Sequence, residues 1–361
     1  MSDYDYLNAR VRGMSTTLLT RDFYEHALGA AGDNMLLDSL LASSYGEELQ
    51  EALAARATDP PSSANGAGYV AAVEAAVRKN VHRTFARLLS IAPAGPRRLI
   101  ALQLNRWDVA NILALVRGRL TGASFAEVLS SVFPIGELDE VQLGELAAET
   151  DVRNLADALT TWKHAFAFAL RAAIRECPRE EDPAALEAAL YRAYFQWALA
   201  QLRPDDPEES VLREILCRQI DLVNVLAALE LVHDRERGTA RETIEPIPRG
   251  KIPQRTLAEL ADCRTLEAAF ETLVGTYFSP GIEKGILAYG QARTLAVMER
   301  FLETTIVEHG CRLFRLDMLS IAVPLGFIWR KYGELVNLRL LVRGAAYRMP
   351  ANAIREGMVI V

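Results

Sequence analysis

Residues Trp107–Gly118 read WDVANILALVRG, and the same arrangement comes back twice further along the chain. QIDLVNVLAALE begins at Gln219 and YGELVNLRLLVRG at Tyr332. Each copy carries an acid followed three residues later by Asn: Asp108 and Asn111, Asp221 and Asn224, Glu334 and Asn337. Both intervals between successive acids are 113 residues (221 − 108 and 334 − 221). A shorter copy, YDYLNARVRG, opens the chain with Asp5 and Asn8, so four copies of one element bracket three units of equal length. Self-similarity on that scale sets the architecture. It predicts three helical repeat units, 1–121, 122–237 and 238–361.

Within the first full copy, Val109, Ile112, Leu113 and Val116 form an apolar stripe at helical spacing. Arg117 falls in the last turn, where a cation complements the carbonyl end, and Gly118 is expected to take a left-handed cap. Arg343 and Gly344 repeat that ending; the middle copy has Glu230 instead of Arg, and its helix is expected to run on to Gly238. Each copy is followed by a predicted helix pair: Ser15–Leu41 broken near Gly29–Asp33, Leu138–Trp162 with a polar turn near Thr150–Asp151, and Ile252–Leu273. Asp59–Gly68, DPPSSANGAG, reads as a loop before a longer helix starting at about Tyr69. Glu74 in that helix corresponds to Glu187 at an interval of 113 (187 − 74) and, one residue short, to Glu299 at 112 (299 − 187).

Composition agrees with an all-α fold, since 50% of the 361 residues are hydrophobic and only 7% aromatic. A net charge of −7 without any basic run offers no phosphate-backbone footprint, so nucleic acid is not expected as a partner. Cys177, Cys217, Cys263 and Cys311 are widely scattered, with no CxxC and no nearby His at ligand spacing, and predict neither zinc nor a disulfide framework. The opening MSDYDYLNARVRG lacks a signal-peptide core, and the apolar stretch Met318–Trp329 is short and contains Pro324, so no membrane span is expected.

Enzyme motifs fail in turn. Gly66–Ala71 spells GAGYVA, but no buried strand precedes it and no acid stands at the ribose distance. Asp205 and Asp206 lie between Pro204 and Pro207, which makes them a turn rather than a metal pair. The five histidines, His26, His82, His164, His233 and His309, are far apart, and Tyr191, Tyr194, Phe195 and Trp197 have the spacing of a helical core face. No nucleophile stands with a base, no catalytic residue is nominated, and no cofactor, metal or small-molecule substrate is expected. Acid and Asn at i and i+3 share one helix face, which suits either equivalent binding contacts or a buried fastening between successive units. Junction work is the more natural task for an element found at every unit boundary.

YDYLNARVRGM at 4–14, NRWDVANILALVRGRLTG at 105–122 and YGELVNLRLLVRG at 332–344 resemble, in that order, the C subunits of the V/A-type rotary ATPases, whose counterpart in the eukaryotic vacuolar enzyme is the d subunit. The resemblance covers the whole chain, apart from the weakened middle copy. It implies three similar all-helical subdomains in a funnel of pseudo-threefold symmetry, with no chemistry of its own. The funnel would receive the central shaft, made by the D and F subunits, and sit on the membrane proteolipid ring. That places it peripherally on the cytoplasmic face of a membrane, expected to be a bacterial plasma membrane. A closed ring of three units lets the first copy pack beside the last, so the N- and C-terminal helices are expected to be adjacent. The arginines at helix exits, Arg10, Arg12, Arg117, Arg119 and Arg343, are candidates for shaft or ring contact, with capping of helix carbonyls as their alternative. Two other functions remain open at this point: a cytosolic helical-repeat scaffold with an open groove, and a helical enzyme with an acidic pocket.

Overall fold

The computed structural model describes residues 3–29, 33–56, 67–149, 151–176, 183–239 and 245–359, and among these every regular element is a helix. The first copy lies on α1 (Asp3–Ser15), and the first helix pair is α2 (Arg21–Gly29) and α3 (Asp33–Leu41). Next come α4 (Gly46–Arg56), the long α5 (Ala67–Ile91) and α6 (Ala94–Leu104), leading to the second copy on α7 (Arg106–Thr121). After α8 (Phe125–Ser131), the second pair is α9 (Glu140–Ala148) and α10 (Val152–Thr161), followed by α11 (Ala167–Glu176), α12 (Pro183–Ala200) and α13 (Pro207–Glu236), which holds the third copy. The third pair is α14 (Gln254–Asp262) and α15 (Leu266–Val274), then α16 (Ser279–Ala292), α17 (Leu295–Arg312), α18 (Ala322–Ala346) with the fourth copy, and α19 (Ala351–Glu356). Most of the loop at Asp59–Gly68, the break between α2 and α3, and Cys177 lie outside the described residues; Cys217, Cys263 and Cys311 are free thiols.

Local chemistry explains the starts. Ser124 with Glu127 and Asp139 with Gln142 form reciprocal capping boxes, satisfying helix-end N–H groups that have no intrahelical acceptor. Asp151 caps α10, and Asp206 caps α13 with Pro207 in the first turn, so the Asp205–Asp206 turn is a helix entry.

The exits correct one expectation. Helix α7 runs through Gly118 to Thr121, and Gly122 takes the left-handed conformation at φ 68°. Helix α18 likewise passes Gly344. A Cβ on Gly118 would lie 2.4 Å from Val128 of α8, and one on Gly344 would lie 2.5 Å from Ile354 of α19, so both glycines serve close packing rather than chain reversal. The middle copy behaves as expected: α13 continues to Glu236, and Gly238 follows at φ 74°.

Packing divides the chain into two compact units. One contains residues 1–97 and 303–361, the other 98–302. In the first, α18 lies against α5 and against α1, α4 lies against α5, and α19 meets α2, around buried Leu7, Val11, Phe85, Ile328 and Trp329. The adjacency of the N- and C-terminal helices is therefore met by α1 and α18. In the second, α7 packs on α12, α10 on α11 and α13 on α14, with Phe166, Tyr194, Phe195, Ile220 and Phe270 buried. Phe166 and Tyr194 meet edge to face at 5.7 Å; of the aromatic cluster, Tyr194 and Phe195 are core, while Tyr191 and Trp197 are half-buried. Ala94–Thr121 is long and apolar enough to span a bilayer, but 78% of its most apolar window is buried inside the protein, as in a core helix.

Candidate functional site: the acid–Asn junctions

Asn111, Asn224 and Asn337 each hold both the backbone N–H and the carbonyl of one residue. The Asn111 side chain accepts the N–H of Phe133 at 2.7 Å and donates to its carbonyl at 2.5 Å. Asn224 does the same to Ile247 at 2.7 and 2.9 Å, and Asn337 to Val359 at 2.7 and 2.8 Å. A primary amide offers one donor and one acceptor side by side, and so matches a peptide edge completely. One turn earlier on the same buried face, the acid takes the next stretch of chain. Asp108 accepts the N–H groups of Glu137 (2.6 Å) and Leu138 (3.3 Å), and Asp221 those of Lys251 (2.8 Å) and Ile252 (3.1 Å).

Leu138 and Ile252 each stand two residues before the first helix of a pair, α9 and α14. The residue two before α2 is Leu19, and its N–H is accepted by Glu334. Each acid has a further partner in the link after the same pair. Tyr277 donates to Asp221 at 2.8 Å, Tyr45 donates to Glu334, and Nε2 of His164 stands 3.7 Å from Asp108. Thus one carboxylate ties the entry of a helix pair to its exit, and the last copy does this for the first pair. Buried Lys331 joins that last junction, donating to Glu334 at 2.6 Å and to the Tyr45 oxygen at 2.9 Å.

The opening copy behaves differently. Asn8, buried on α1, donates to the carbonyls of Met318 (3.1 Å) and Ser320 (3.0 Å) in the segment leading into α18, while Asp5 is half-buried.

Burial raises the pKa of Asp108, against the opposing pull of His164 and the amides of Glu137 and Leu138. Asp221 is raised by burial too, against the amides of Lys251 and Ile252, the Tyr277 hydroxyl and the Arg218 charge. Burial, then the nearby carboxylates, hold Tyr45 and Tyr277 firmly protonated as donors. These groups are built to hold hydrogen bonds. Among the described residues no cluster of three or more His, Cys, Asp or Glu is placed to hold a metal ion.

Two glycines were not singled out by the sequence. A Cβ on Gly136 would fall 2.1 Å from the Asp108 carboxylate, and one on Gly250 would fall 2.0 Å from that of Asp221. Their signal was present in FPIG at 133–136 and IPRG at 247–250, whose glycines follow the acid at 28 and 29 residues (136 − 108 and 250 − 221). His164 and Tyr277 stand 113 residues apart (277 − 164), the interval of the acids themselves, but differ in residue type; Tyr45 and Lys331 had no such signal, because their role depends on a fold that returns Tyr45 to a distant helix.

The arginines have mixed surroundings. Arg117 pairs with Glu187, and Arg343 pairs with Glu74 at 2.7 Å, so the two corresponding glutamates of the long helices receive corresponding arginines. Arg119 donates to the carbonyl of Ala147 on α9, not to the end of its own helix. Arg12 lies over the Phe314 ring at 5.3 Å, and exposed Arg10 lines a groove with Arg83 and Arg87.

Comparison with known proteins settles the lineage. The model of the family described as ATP synthase (C/AC39) subunit matches residues 7–357, a span that includes every residue of the four acid–Asn pairs except Asp5. The chain belongs to that family. Members similar to it include the V-type ATP synthase C subunit of Deinococcus radiodurans, 28% identical over 98% of this chain and 90% of the relative. The V-type ATP synthase C subunit of Thermus thermophilus is 29% identical over 99% of this chain and 98% of the relative. The A-type ATP synthase C subunit of Thermococcus kodakarensis is 24% identical over 98% and 89%.

Proposed function

We propose that this C/AC39 protein is a non-catalytic rotor component of a V/A-type rotary ATPase, a socket that couples the central-shaft D and F subunits to the membrane proteolipid ring. It sits peripherally on the cytoplasmic face of a bacterial plasma membrane and serves ATP-linked proton or sodium transport. The single observation that carries the proposal is the end-to-end match to relatives that are C subunits of V- and A-type ATP synthases. Supporting it, the last copy of the acid–Asn element fastens the first helix pair through Glu334, Leu19 and Tyr45. In this proposal the units 1–121, 122–237 and 238–361 form a pseudo-threefold funnel, and the acid–Asn pairs are its inter-repeat fastenings. A torque-bearing socket needs a stiff wall, and buried hydrogen-bonded polar junctions supply stiffness.

Purification of the tagged full-length chain from its own cells tests this. The expected result is stoichiometric recovery of the D and F subunits and the proteolipid, with loss of ATP-driven ion pumping when the chain is deleted. Recovery only in soluble complexes without proteolipid would favour the cytosolic scaffold and overturn the rotor role.

A further inference from the structure

Helices α10 and α11 flank a groove of about 680 Å³ lined by Arg153, Asp157, Phe168, Arg171, Ile174 and Arg175. Phe168 is 77% exposed, although it is a large aromatic residue on a regular helix. Arg153, Arg171 and Arg175 are all exposed, and the one lining carboxylate, Asp157, stands 3.7 Å from Arg171. Three guanidinium groups against one carboxylate are a local reversal of sign on a chain of net charge −7. We infer that this groove docks an acidic amphipathic helix of a partner protein, with an apolar side chain against Phe168 and Ile174 and carboxylates facing Arg171 and Arg175.

Arg171 and Arg175 are four residues apart, so they stack on one face of α11 about 6 Å from each other. Carboxylates at i and i+4 on a partner helix share that spacing, whereas a single phosphate does not. Each wall is ten residues long, about 15 Å, which accommodates roughly three turns of helix. Exposed aromatic and arginine side chains together are the residue types that dominate protein interfaces, and arginine pairs bidentately with carboxylate.

The inference rests on the reading of the chain as part of a larger assembly, and two measurements keep the two apart. In the first, wild type and Arg171→Glu/Arg175→Glu are compared for incorporation into the ATPase in cells lacking the native chain. In the second, the isolated full-length chain is titrated with a fluorescent helix-forming peptide carrying Glu at i and i+4 and a central Leu. The expected result is peptide binding that weakens with salt and falls at least tenfold in Arg171→Glu/Arg175→Glu and in Phe168→Ser, with unchanged melting temperatures. Charge reversal should also lower incorporation at least tenfold. Equal peptide binding by wild type and the charge-reversed variant overturns the groove proposal while leaving the rotor role intact. Failure of wild type to enter the ATPase sinks the rotor role, and the peptide titration then decides the groove alone. Flotation with phosphatidylglycerol–phosphatidylcholine vesicles that depends on these arginines, without peptide binding, would assign the groove to a membrane and overturn the acidic-helix occupant.

Discussion

Glu334 on α18 accepts the backbone N–H of Leu19, 315 residues earlier in the chain. The same carboxylate receives the Tyr45 hydroxyl and the Lys331 ammonium, so four polar groups share one buried point. Glu334→Ala strands Lys331 as an uncompensated buried cation and is expected to cost about 3–5 kcal/mol in urea unfolding. The double variant Lys331→Met/Glu334→Leu should recover most of that loss. A double variant as unstable as Glu334→Ala alone would show that packing, not charge, governs the junction.

Asn337→Ala removes both bonds to Val359 and leaves a buried peptide unanswered, with an expected loss of about 2 kcal/mol. Asn337→Asp should not rescue it at neutral pH, because a carboxylate oxygen would face the Val359 carbonyl. Hydrogen exchange at the Val359 amide provides a local reading: protection should fall in both variants.

Gly250→Ala should destabilise the chain by at least about 2 kcal/mol, since the new methyl collides with a carboxylate that is itself tied down. Coupling identifies the cause. Combined with Asp221→Ala, the two losses should be strongly sub-additive, whereas simple additivity would place the strain elsewhere.

Two buried carboxyls give opposite pH dependences. Burial alone would raise the pKa of Glu209, but the amide and guanidinium of Arg203 and the charge of Arg98 prevail and hold it below the usual 4.5. The unfolded chain then binds the proton more readily, so this contribution is complete above about pH 4.5 and is lost as pH falls through the folded value. Asp108, raised above 3.8 by burial, acts the other way: its contribution is greatest below that value and declines as pH rises through the folded pKa. Glu209→Gln should flatten the acid limb of a stability–pH curve and cost about 2 kcal/mol near neutrality. Asp108→Asn should remove the decline above about pH 4, although it lowers stability throughout by losing an acceptor.

Arg117→Ala and Arg343→Ala break ion pairs that are about half exposed on the arginine side, so each should change stability by less than about 1 kcal/mol. A shaft or ring contact would reveal itself as lost ATP-driven pumping at unchanged melting temperature. Normal pumping in both variants would remove these two arginines from the candidate contacts.

Much of this fold was legible because repetition is itself a structural signal. The interval between Asp108, Asp221 and Glu334 located the junction helices, and the polar turn near Thr150–Asp151 located the division of the second pair. Gly118 and Gly344 were misplaced as caps because a cap and a close contact use the same residue, and only the position of Val128 or Ile354 distinguishes them. His164 was unreadable for a related reason. It stands one repeat interval before Tyr277 (277 − 164 = 113), but an imidazole and a phenol share no residue-type signature, and their common role appears once each acid's partners are known.

The debt of the first helix pair to the last long helix also has a schedule. A ribosome delivers Leu19 and Tyr45 hundreds of residues before Glu334, and Asn8 waits as long for Met318 and Ser320. The N-terminal third must therefore persist half-made through most of synthesis, a long-range closure that slows folding and leaves its apolar surface open to chaperones. A nonsense mutation shortly before α18 would thus cripple the beginning of the protein rather than merely trim its end.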